Sequence, residues 1–161
     1  MNKSTTDQPR KPYMIQGQLR KAQGSITVPE NSGLHLVFTL VPENGDYDSP
    51  TSKILNKRWA KTREAYKTAF VNRFEFKLGN ILNTAVGSDI WVIQAIAFNK
   101  NKEVDTEALK DGVKKLIDLA KYEKASVHVS QLTLDEAPEL LGMFEDQLLT
   151  QGLSLYVYPR E

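Results

Sequence analysis

The sequence contains no cysteine and only two histidines, His35 and His128, among its 161 residues. The absence of cysteine excludes disulfide frameworks, thiolate metal sites and cysteine nucleophiles. Two histidines are too few for a multi-histidine metal centre, so we expect neither a metal ion nor another cofactor. No apolar run approaches the roughly 18 residues of a membrane span, and the polar start of the chain lacks the apolar core of a signal peptide. We therefore predict a cytoplasmic protein without membrane contact.

The chain has the length and composition of one globular domain. Apolar residues make up 40% of it and charged residues 25%, which is ordinary for a soluble protein. A chain of about this size buries roughly 70% of its unfolded surface, so it has a core without disulfides. The polar stretch of residues 1–11 predicts a disordered tail, and residues 12–161 predict a single domain.

The near-zero net charge hides two oppositely charged parts. Residues 1–100 carry 14 basic and 8 acidic side chains, a net +6, whereas residues 101–161 carry 7 and 12, a net −5. Eight of the basic residues lie between positions 53 and 77, against two acidic ones. Such a concentration is typical of a solvated helix face, and it would also suit the phosphates of a nucleic acid or a nucleotide.

Strand-like and helix-like patterns alternate along the chain. Residues 34–41 are almost continuously apolar and β-branched, which predicts a central strand buried on both faces. From Asp105, apolar residues recur with the helical period. The alternation predicts a three-layer α/β/α sandwich with a mixed, mostly parallel sheet. The other predicted elements are a helix from Lys53 capped by Ser52, a hairpin of residues 80–86 and 90–98, strands at 13–15, 25–29, 125–130 and 153–158, and a helix from Asp135.

Two polar loops are expected to share one edge of this sheet. Residues 42–52 leave the strand at 34–41, and residues 131–134 leave the strand at 125–130. Ligands of open α/β sheets bind at the carboxyl ends of the strands, and a helix that begins there favours an anion. We therefore expect a ligand cleft between the loops, and we expect Asp135 to cap the following helix.

The order of elements and several local strings resemble the macrodomain family, the ADP-ribose-binding α/β modules. Met14-Ile15-Gln16-Gly17-Gln18-Leu19 is similar to the family's opening strand and its Gly-Asp-Ile/Leu turn. Asn56-Lys57-Arg58-Trp59-Ala60 is similar to the helix after the family's first glycine-rich loop. The resemblance spans residues 12 to 158 and is greatest to the branch that removes ADP-ribose from protein carboxylates. It implies a macrodomain-like fold and ligand-binding positions at Gln18 and Leu19. The two loops themselves offer further ligand-binding residues, which are Asn44, Gly45, Asp46, Tyr47, Ser130, Gln131 and Thr133.

The same resemblance implies catalytic positions, and it also exposes departures from the family. Asp135 matches the family's base, and Lys100 or Lys102 matches its lysine nucleophile. Gln18 stands where the family has the Asp that receives adenine, so the acceptor there carries no charge. Of the two phosphate-binding loops, residues 42–52 contain only Gly45 and two prolines. Residues 130–135 have β-carbons at both positions of the family's Gly-x-Gly, which hinders close approach of the backbone to a pyrophosphate.

These patterns lead us to predict a divergent, non-hydrolytic binding module for ADP-ribose or another nucleotide-like or anionic ligand. This hypothesis requires the cleft between the two loops to be open. One alternative is an ADP-ribosyl-protein hydrolase that uses Asp135 and Lys100. A second alternative is a scaffold without a pocket that binds a protein partner or a nucleic acid. The residues that would contact a nucleic acid are Lys53, Lys57, Arg58, Lys61, Arg63 and Lys67.

Overall fold

The computed structural model describes residues 17–161, which form a six-stranded sheet covered by helices on both faces. Neighbouring strands follow the order β1-β6-β5-β2-β4-β3. Only the β3–β4 pair is antiparallel, so the sheet is mixed and mostly parallel, as predicted. The strands are β1 (Leu19–Lys21), β2 (His35–Pro42), β3 (Ile81–Ala85), β4 (Ile90–Phe98), β5 (Ser126–Ser130) and β6 (Leu155–Tyr158).

The two helical layers pack on opposite faces of the sheet. The helices are α1 (Pro50–Arg58), α2 (Lys61–Asn72), α3 (Thr106–Glu123), α4 (Gln131–Glu136) and α5 (Glu139–Gln147), and a 3-10 turn follows at Leu149–Gln151. The hydrophobic clusters place α3 and α5 on one face and α1 and α2 on the other. The predicted three-layer α/β/α sandwich is confirmed.

Strand β2 lies at the centre of the core. Leu36, Phe38 and Leu40 pack towards α3 and α5. The alternating residues Val37 and Val41 pack towards α1 and α2. Every residue of β2 is buried, so its continuous apolar run is explained by helices on both sides.

The basic helix predicted from Lys53 is two helices instead of one. α1 begins at Pro50, and the hydroxyl of Ser49, rather than Ser52, accepts a hydrogen bond from the backbone at the helix start. Proline suits this first position because the helix does not need its missing N–H there. The helix stops at Trp59, whose carbonyl accepts bonds from the N–H and the hydroxyl of Thr62. The loop predicted at 42–52 is shortened accordingly to residues 43–49.

The loop predicted at residues 131–134 is helical as well. Ser130 ends β5 and caps α4 directly, because its hydroxyl accepts a hydrogen bond from the Leu132 N–H at 3.0 Å. Asp135 therefore lies in the last turn of α4 and is not a helix cap, contrary to the prediction. The next helix, α5, begins only at Glu139, after Pro138.

Three predictions concern the start of the chain. Residues 25–29 form turns rather than the predicted strand, although Ile26 is fully buried. The predicted tail of residues 1–11 and the predicted strand at 13–15 lie outside the described residues.

A fully buried histidine links the last two strands of the parallel sheet. The Nδ1 atom of His128 lies 2.7 Å from the Tyr158 hydroxyl, and its Nε2 atom lies 2.7 Å from the Ser126 hydroxyl. The ring stacks on Tyr156 at 4.8 Å. Burial, with a smaller contribution from nearby His35, lowers the pKa of His128 to about 3. The imidazole is therefore neutral in the folded protein throughout the physiological range.

This low pKa predicts a loss of stability in mild acid. The unfolded chain gains a proton on His128 below its ordinary pKa of 6.5, whereas the folded protein gains it only near pH 3. The free energy of unfolding should therefore fall by up to about 1.4 kcal/mol per pH unit in this window through His128 alone. Urea unfolding of the wild type and of His128→Gln at pH 7, 5.5 and 4.5 measures this slope. Equal slopes for the two proteins would contradict the assignment.

Candidate functional site

The carboxyl ends of five parallel strands form one edge of the sheet, and the candidate site lies there. Residues 43–49 follow β2, residues 99–105 follow β4, and α4 follows β5 without a loop. Residues 22–34 and 159–161 follow β1 and β6 at the same edge. This is the edge at which open α/β sheets bind ligands.

Two threonines close the middle of this edge. Thr51, in the first turn of α1, and Thr133, in α4, have hydroxyl oxygens 3.1 Å apart, and both residues are fully buried. Because α1 follows β2 and α4 follows β5, their contact divides the predicted cleft between the two loops into two parts, both of which are open. One cleft remains on each side of this threonine pair.

The cleft beside β2 and β4 encloses about 250 Å³ and is called here the Glu136 cleft. It is bounded by Pro42, Asp48, Ser49, Phe98, Lys102 and Glu136. Pro42 and Phe98 end β2 and β4 and form the apolar floor. The polar groups come from three different segments, so only the folded chain brings them together.

Glu136 has the most perturbed carboxyl group of this edge. Its Oε1 atom is buried and has no hydrogen-bond partner. Burial, together with the negative charge of Asp135, raises the pKa of Glu136 from 4.5 to about 7. A carboxyl group with this pKa can exchange a proton near neutral pH, and its free oxygen can accept a hydrogen bond from a ligand. Sequence reasoning missed Glu136, because nothing in its local pattern separates it from the other acidic residues of the last 61.

Lys102 is the basic group of the Glu136 cleft. Its ammonium lies 3.0 Å from the Asp48 carboxylate and 3.1 Å from that of Asp46. Hydrogen bonds to these carboxylates, first to Asp48 and then to Asp46, raise the pKa of Lys102. A lysine nucleophile needs a lowered pKa instead. Lys100, the other lysine considered, is exposed in the turn after β4 and does not line the cleft.

The loop of residues 43–49 is held against α2 rather than open to a ligand. Gly45 donates its N–H to the Tyr66 hydroxyl at 3.1 Å, and its carbonyl accepts a hydrogen bond from Lys67. Gly45 has a φ of +92°, and a Cβ there would lie 2.7 Å from the ring of Phe70, so both conformation and packing require glycine. The glycine predicted to approach a ligand instead permits this packing.

Two further residues of this loop are also occupied by contacts within the protein. Tyr47 donates to the Thr62 hydroxyl at 2.9 Å and packs on Tyr66. The side-chain oxygen of Asn44 accepts a hydrogen bond from the Asp46 N–H at 3.0 Å. Of the loop residues predicted for ligand binding, only Asp46 approaches the Glu136 cleft, through Lys102.

A second cleft of about 270 Å³ lies on the β1 and β6 side of the threonine pair and is called here the Arg160 cleft. Lys21, Gln131 and Arg160 contribute its polar groups. Arg160 donates two hydrogen bonds to Asp135, at 2.6 and 2.9 Å, and Gln131 donates one at 3.1 Å. The bonds from Arg160 and Gln131 lower the pKa of Asp135, which weakens this carboxylate as a base.

Gln18 and Leu19 do not lie at this edge. Leu19 begins β1 and pairs with Leu155 at the amino end of β6, and Gln18 precedes it. The turn that does follow β1 contains Gly24-Ser25-Ile26, in which the Ser25 hydroxyl lies 2.8 Å from Glu161. The turn that lies at the carboxyl end of β1 is therefore this one and not the string at residues 17–19.

The predicted basic surface is exposed but divided between α1 and α2. The side chains of Lys53, Lys57, Arg58, Lys61 and Arg63 are exposed, whereas Lys67 is partly buried against Gly45. Among residues 17–161, none of these six forms a salt bridge.

Other features of the described chain do not form a competing site. A cavity of about 470 Å³ lined by Lys121 and Lys124 lies at the amino ends of β5 and β6, opposite the candidate site. Within residues 17–161, no group of three His, Asp or Glu side chains is arranged to hold a metal ion. No helix in this part of the chain has the length and apolar character needed to cross a bilayer.

Comparison with known proteins finds solved structures of the same fold but no protein of similar sequence among the curated ones. No family model matches the chain, and no curated protein is similar to it in sequence. A macrodomain protein from Streptomyces coelicolor superposes with a TM-score of 0.81 at 23% identity, over 88% of this chain and 98% of that one. The macrodomain of Thermus aquaticus DarG gives a TM-score of 0.68 at 16% identity, over 88% and 98%. Thermosipho africanus DarTG, in complex with ADP-ribose, gives 0.64 at 12% identity, over 87% of this chain and 41% of that one.

Fold and site together define an α/β/α sandwich whose clefts lie at the carboxyl edge of a mostly parallel sheet. Within that class, the chain has the macrodomain fold. The resemblance seen in the sequence is confirmed at the level of the fold, and the chain is a divergent example of it.

The raised pKa of Glu136 predicts a measurable effect on stability. The folded protein holds this proton up to about pH 7, whereas the unfolded chain releases it near pH 4.5, so stability is lost as the pH rises between these values. The substitution Glu136→Gln keeps the size and shape of the side chain and removes its titratable charge. It should raise the free energy of unfolding at pH 8 by about 1–2 kcal/mol, allowing for the partial exposure of Glu136, and have no effect at pH 4.

Chemical denaturation at pH 4, 6 and 8 tests this expectation. Glu139→Gln is the matched control, because Glu139 is exposed in the first turn of α5. A stabilisation by Glu136→Gln that does not change with pH would show that the carboxyl group titrates normally.

Proposed function

We propose that the protein is a non-hydrolytic binding module whose Glu136 cleft receives the terminal ribose of an ADP-ribose-type ligand. The single observation that carries this proposal is the buried Glu136 oxygen without a partner at the carboxyl edge. A buried acceptor without a partner is unfavourable, and a ligand hydroxyl donating to it relieves that cost. The neighbouring Ser49 hydroxyl and the apolar floor at Pro42 and Phe98 suit a sugar ring.

The charges of the cleft favour hydroxyl groups over phosphate. Asp46, Asp48 and Glu136 are acidic, and Lys102 is already bound to the first two. Pro50 occupies the first position of α1 and has no N–H to offer an anion. A ribose, which donates several hydrogen bonds, fits these acceptors better than a phosphate group.

The remainder of such a ligand would pass over the threonine pair towards the Arg160 cleft. Each cleft is smaller than the roughly 300–1,000 Å³ typical of pockets that enclose a whole ligand. Lys21 supplies positive charge on that side, where the guanidinium of Arg160 is bound to Asp135. The similar fold of DarTG in complex with ADP-ribose supports this class of ligand.

The absence of hydrolysis is inferred from the two groups that would carry it. The raised pKa of Lys102 keeps its amine protonated and unable to attack. The Asp135 carboxylate accepts three hydrogen bonds from Arg160 and Gln131, which occupy three of its roughly four lone-pair sites. Neither group is therefore poised for the chemistry that the resemblance implied.

Isothermal titration calorimetry with ADP-ribose tests the binding proposal. Binding is expected with ADP-ribose and not with AMP, which lacks the terminal ribose. Glu136→Ala should weaken binding about tenfold, because it removes the buried acceptor, whereas Glu139→Ala should not. No heat with ADP-ribose, or equal affinity for AMP, would refute the use of the Glu136 cleft and favour the scaffold without a pocket.

A release assay on protein carrying ADP-ribose on its carboxylates tests the lack of hydrolysis. We expect no release above the rate without the protein. Time-dependent release that disappears in Lys102→Ala or Asp135→Asn would instead establish the hydrolase alternative.

A further inference from the structure

A cavity of about 470 Å³ lies at the edge of the sheet opposite the candidate site and is called here the Lys124 cavity. Its walls are the end of α3, the amino ends of β5 and β6, and part of the loop before β2. Its volume lies within the roughly 300–1,000 Å³ typical of pockets that enclose a ligand. The polar side chains that line it include those of Ser32, Lys121, Lys124, Ser126, Gln151 and Ser154.

The charged side chains that line this cavity are all positive. Lys121 and Lys124 contribute two ammonium groups, and no aspartate or glutamate of the described residues lines the cavity. Glu123 lies between the two lysines in sequence but outside the lining. In the part of the chain that the structure describes, neither lysine forms a salt bridge. The charge of the cavity therefore favours an anion.

The backbone conformation of Lys124 indicates that its side chain has a role of its own. Lys124 ends α3 in the left-handed conformation, with a φ of +56°. Glycine is the usual residue at such a helix end, because a β-carbon is strained there. Lys121, in the last turn, already supplies a cation to the carbonyl end of the helix. A ligand therefore explains a lysine at position 124 better than the stability of the helix does.

The hydrogen bonds of His128 leave the hydroxyl proton of Ser126 available to a ligand. The Tyr158 hydroxyl accepts a bond from the Glu30 N–H at 2.8 Å, and within residues 17–161 its own proton has one acceptor, Nδ1 of His128, at 2.7 Å. The neutral imidazole therefore carries its proton on Nε2 and donates it to the Ser126 hydroxyl at 2.7 Å. Because Ser126 lines the cavity, its own proton is free for an acceptor there.

Carbonyl groups that border the cavity are used within the protein. The carbonyl of Ser154 accepts a hydrogen bond from the Val127 N–H at 3.1 Å. The carbonyl of Lys121 accepts one from the Lys124 N–H at 3.3 Å, which closes the end of α3. The ammonium and hydroxyl groups of the lining therefore remain as donors, and a ligand that accepts hydrogen bonds suits them.

We propose that the Lys124 cavity binds the phosphate group of a small phosphorylated molecule. A phosphate carries about two negative charges and three strong acceptor oxygens, which match two ammonium groups and the Ser126 hydroxyl better than a single carboxylate does. Ser32, Gln151 and Ser154 line the remaining space and suit a polar remainder such as a polyol or a sugar. The site lies at the edge opposite the Glu136 cleft and does not depend on the function proposed for that cleft.

Titration with inorganic phosphate and with glycerol 3-phosphate, followed by two-dimensional NMR at constant ionic strength, tests this proposal. Both compounds should shift the amide signals of Lys124, Ser126 and Ser154 until they saturate. Glycerol 3-phosphate should bind about threefold more tightly, because it fills more of the cavity. Acetate at the same ionic strength is the control and should cause only small shifts that do not saturate.

Three variants separate a role in binding from a role in stability. Lys124→Gly and Lys121→Gln each remove one ammonium group of the cavity, and Lys110→Gln removes an exposed lysine of α3 that does not line it. The first two should weaken the binding of glycerol 3-phosphate about fivefold, whereas the third should not. Lys124→Gly should not lower the midpoint of thermal unfolding, because glycine relieves the strain of the left-handed conformation.

Three results of these experiments would each overturn the proposal. They are the lack of saturating shifts with both phosphate compounds, equal affinity for acetate, and an equal loss of binding in Lys110→Gln. Saturating shifts at residues 43–49 that disappear in Glu136→Ala would place the phosphate in the Glu136 cleft and would overturn it as well.

Discussion

The burial of β2 on both faces is the constraint on which the rest of this structure depends. A strand that is apolar on both sides needs helices above and below it, and the chain meets this need with α1 and α2 on one face and α3 and α5 on the other. Helical connections between neighbouring strands make those strands parallel. Parallel strands in turn bring their carboxyl ends to one edge, and for this reason the polar residues after β2, β4 and β5 meet there.

At that edge, most of the polar groups form hydrogen bonds with one another and are not free to bind a ligand. The loop after β2 is tied to α2 through Gly45 and Tyr47, Lys102 joins two aspartates, and Asp135 is held by Arg160. The hydrogen bond between Thr51 and Thr133 occupies the middle of the edge. What these contacts leave is two small clefts and one buried carboxyl oxygen, that of Glu136. The chain therefore has a macrodomain fold in which contacts within the protein occupy most of the carboxyl edge.

The elements with a strong pattern could be predicted, and those defined by a single cap could not. The strand at 34–41 and the helix from Asp105 follow directly from runs of apolar residues. α1 begins at Pro50 with Ser49 as its cap, and this pair of residues is equally typical of a loop. α4 could not be predicted because Ser130 both ends a strand and caps a helix. Gln18 precedes β1, whereas the turn pattern predicts that it follows a strand, because this pattern alone does not show where a three-residue strand lies.

The sequence by itself determined the layers of the fold and the central strand. It also determined which functional groups a site can use, since the absence of cysteine and the scarcity of histidine limit them to carboxylates, lysines and amides. These properties depend on composition and on contacts between neighbours in sequence. Only the tertiary structure decided that Thr51 meets Thr133, that Lys102 rather than Lys100 reaches the cleft, and that Glu136 is the group with a shifted pKa. Burial and electrostatic surroundings are set by residues distant in the chain, and no local pattern contains them.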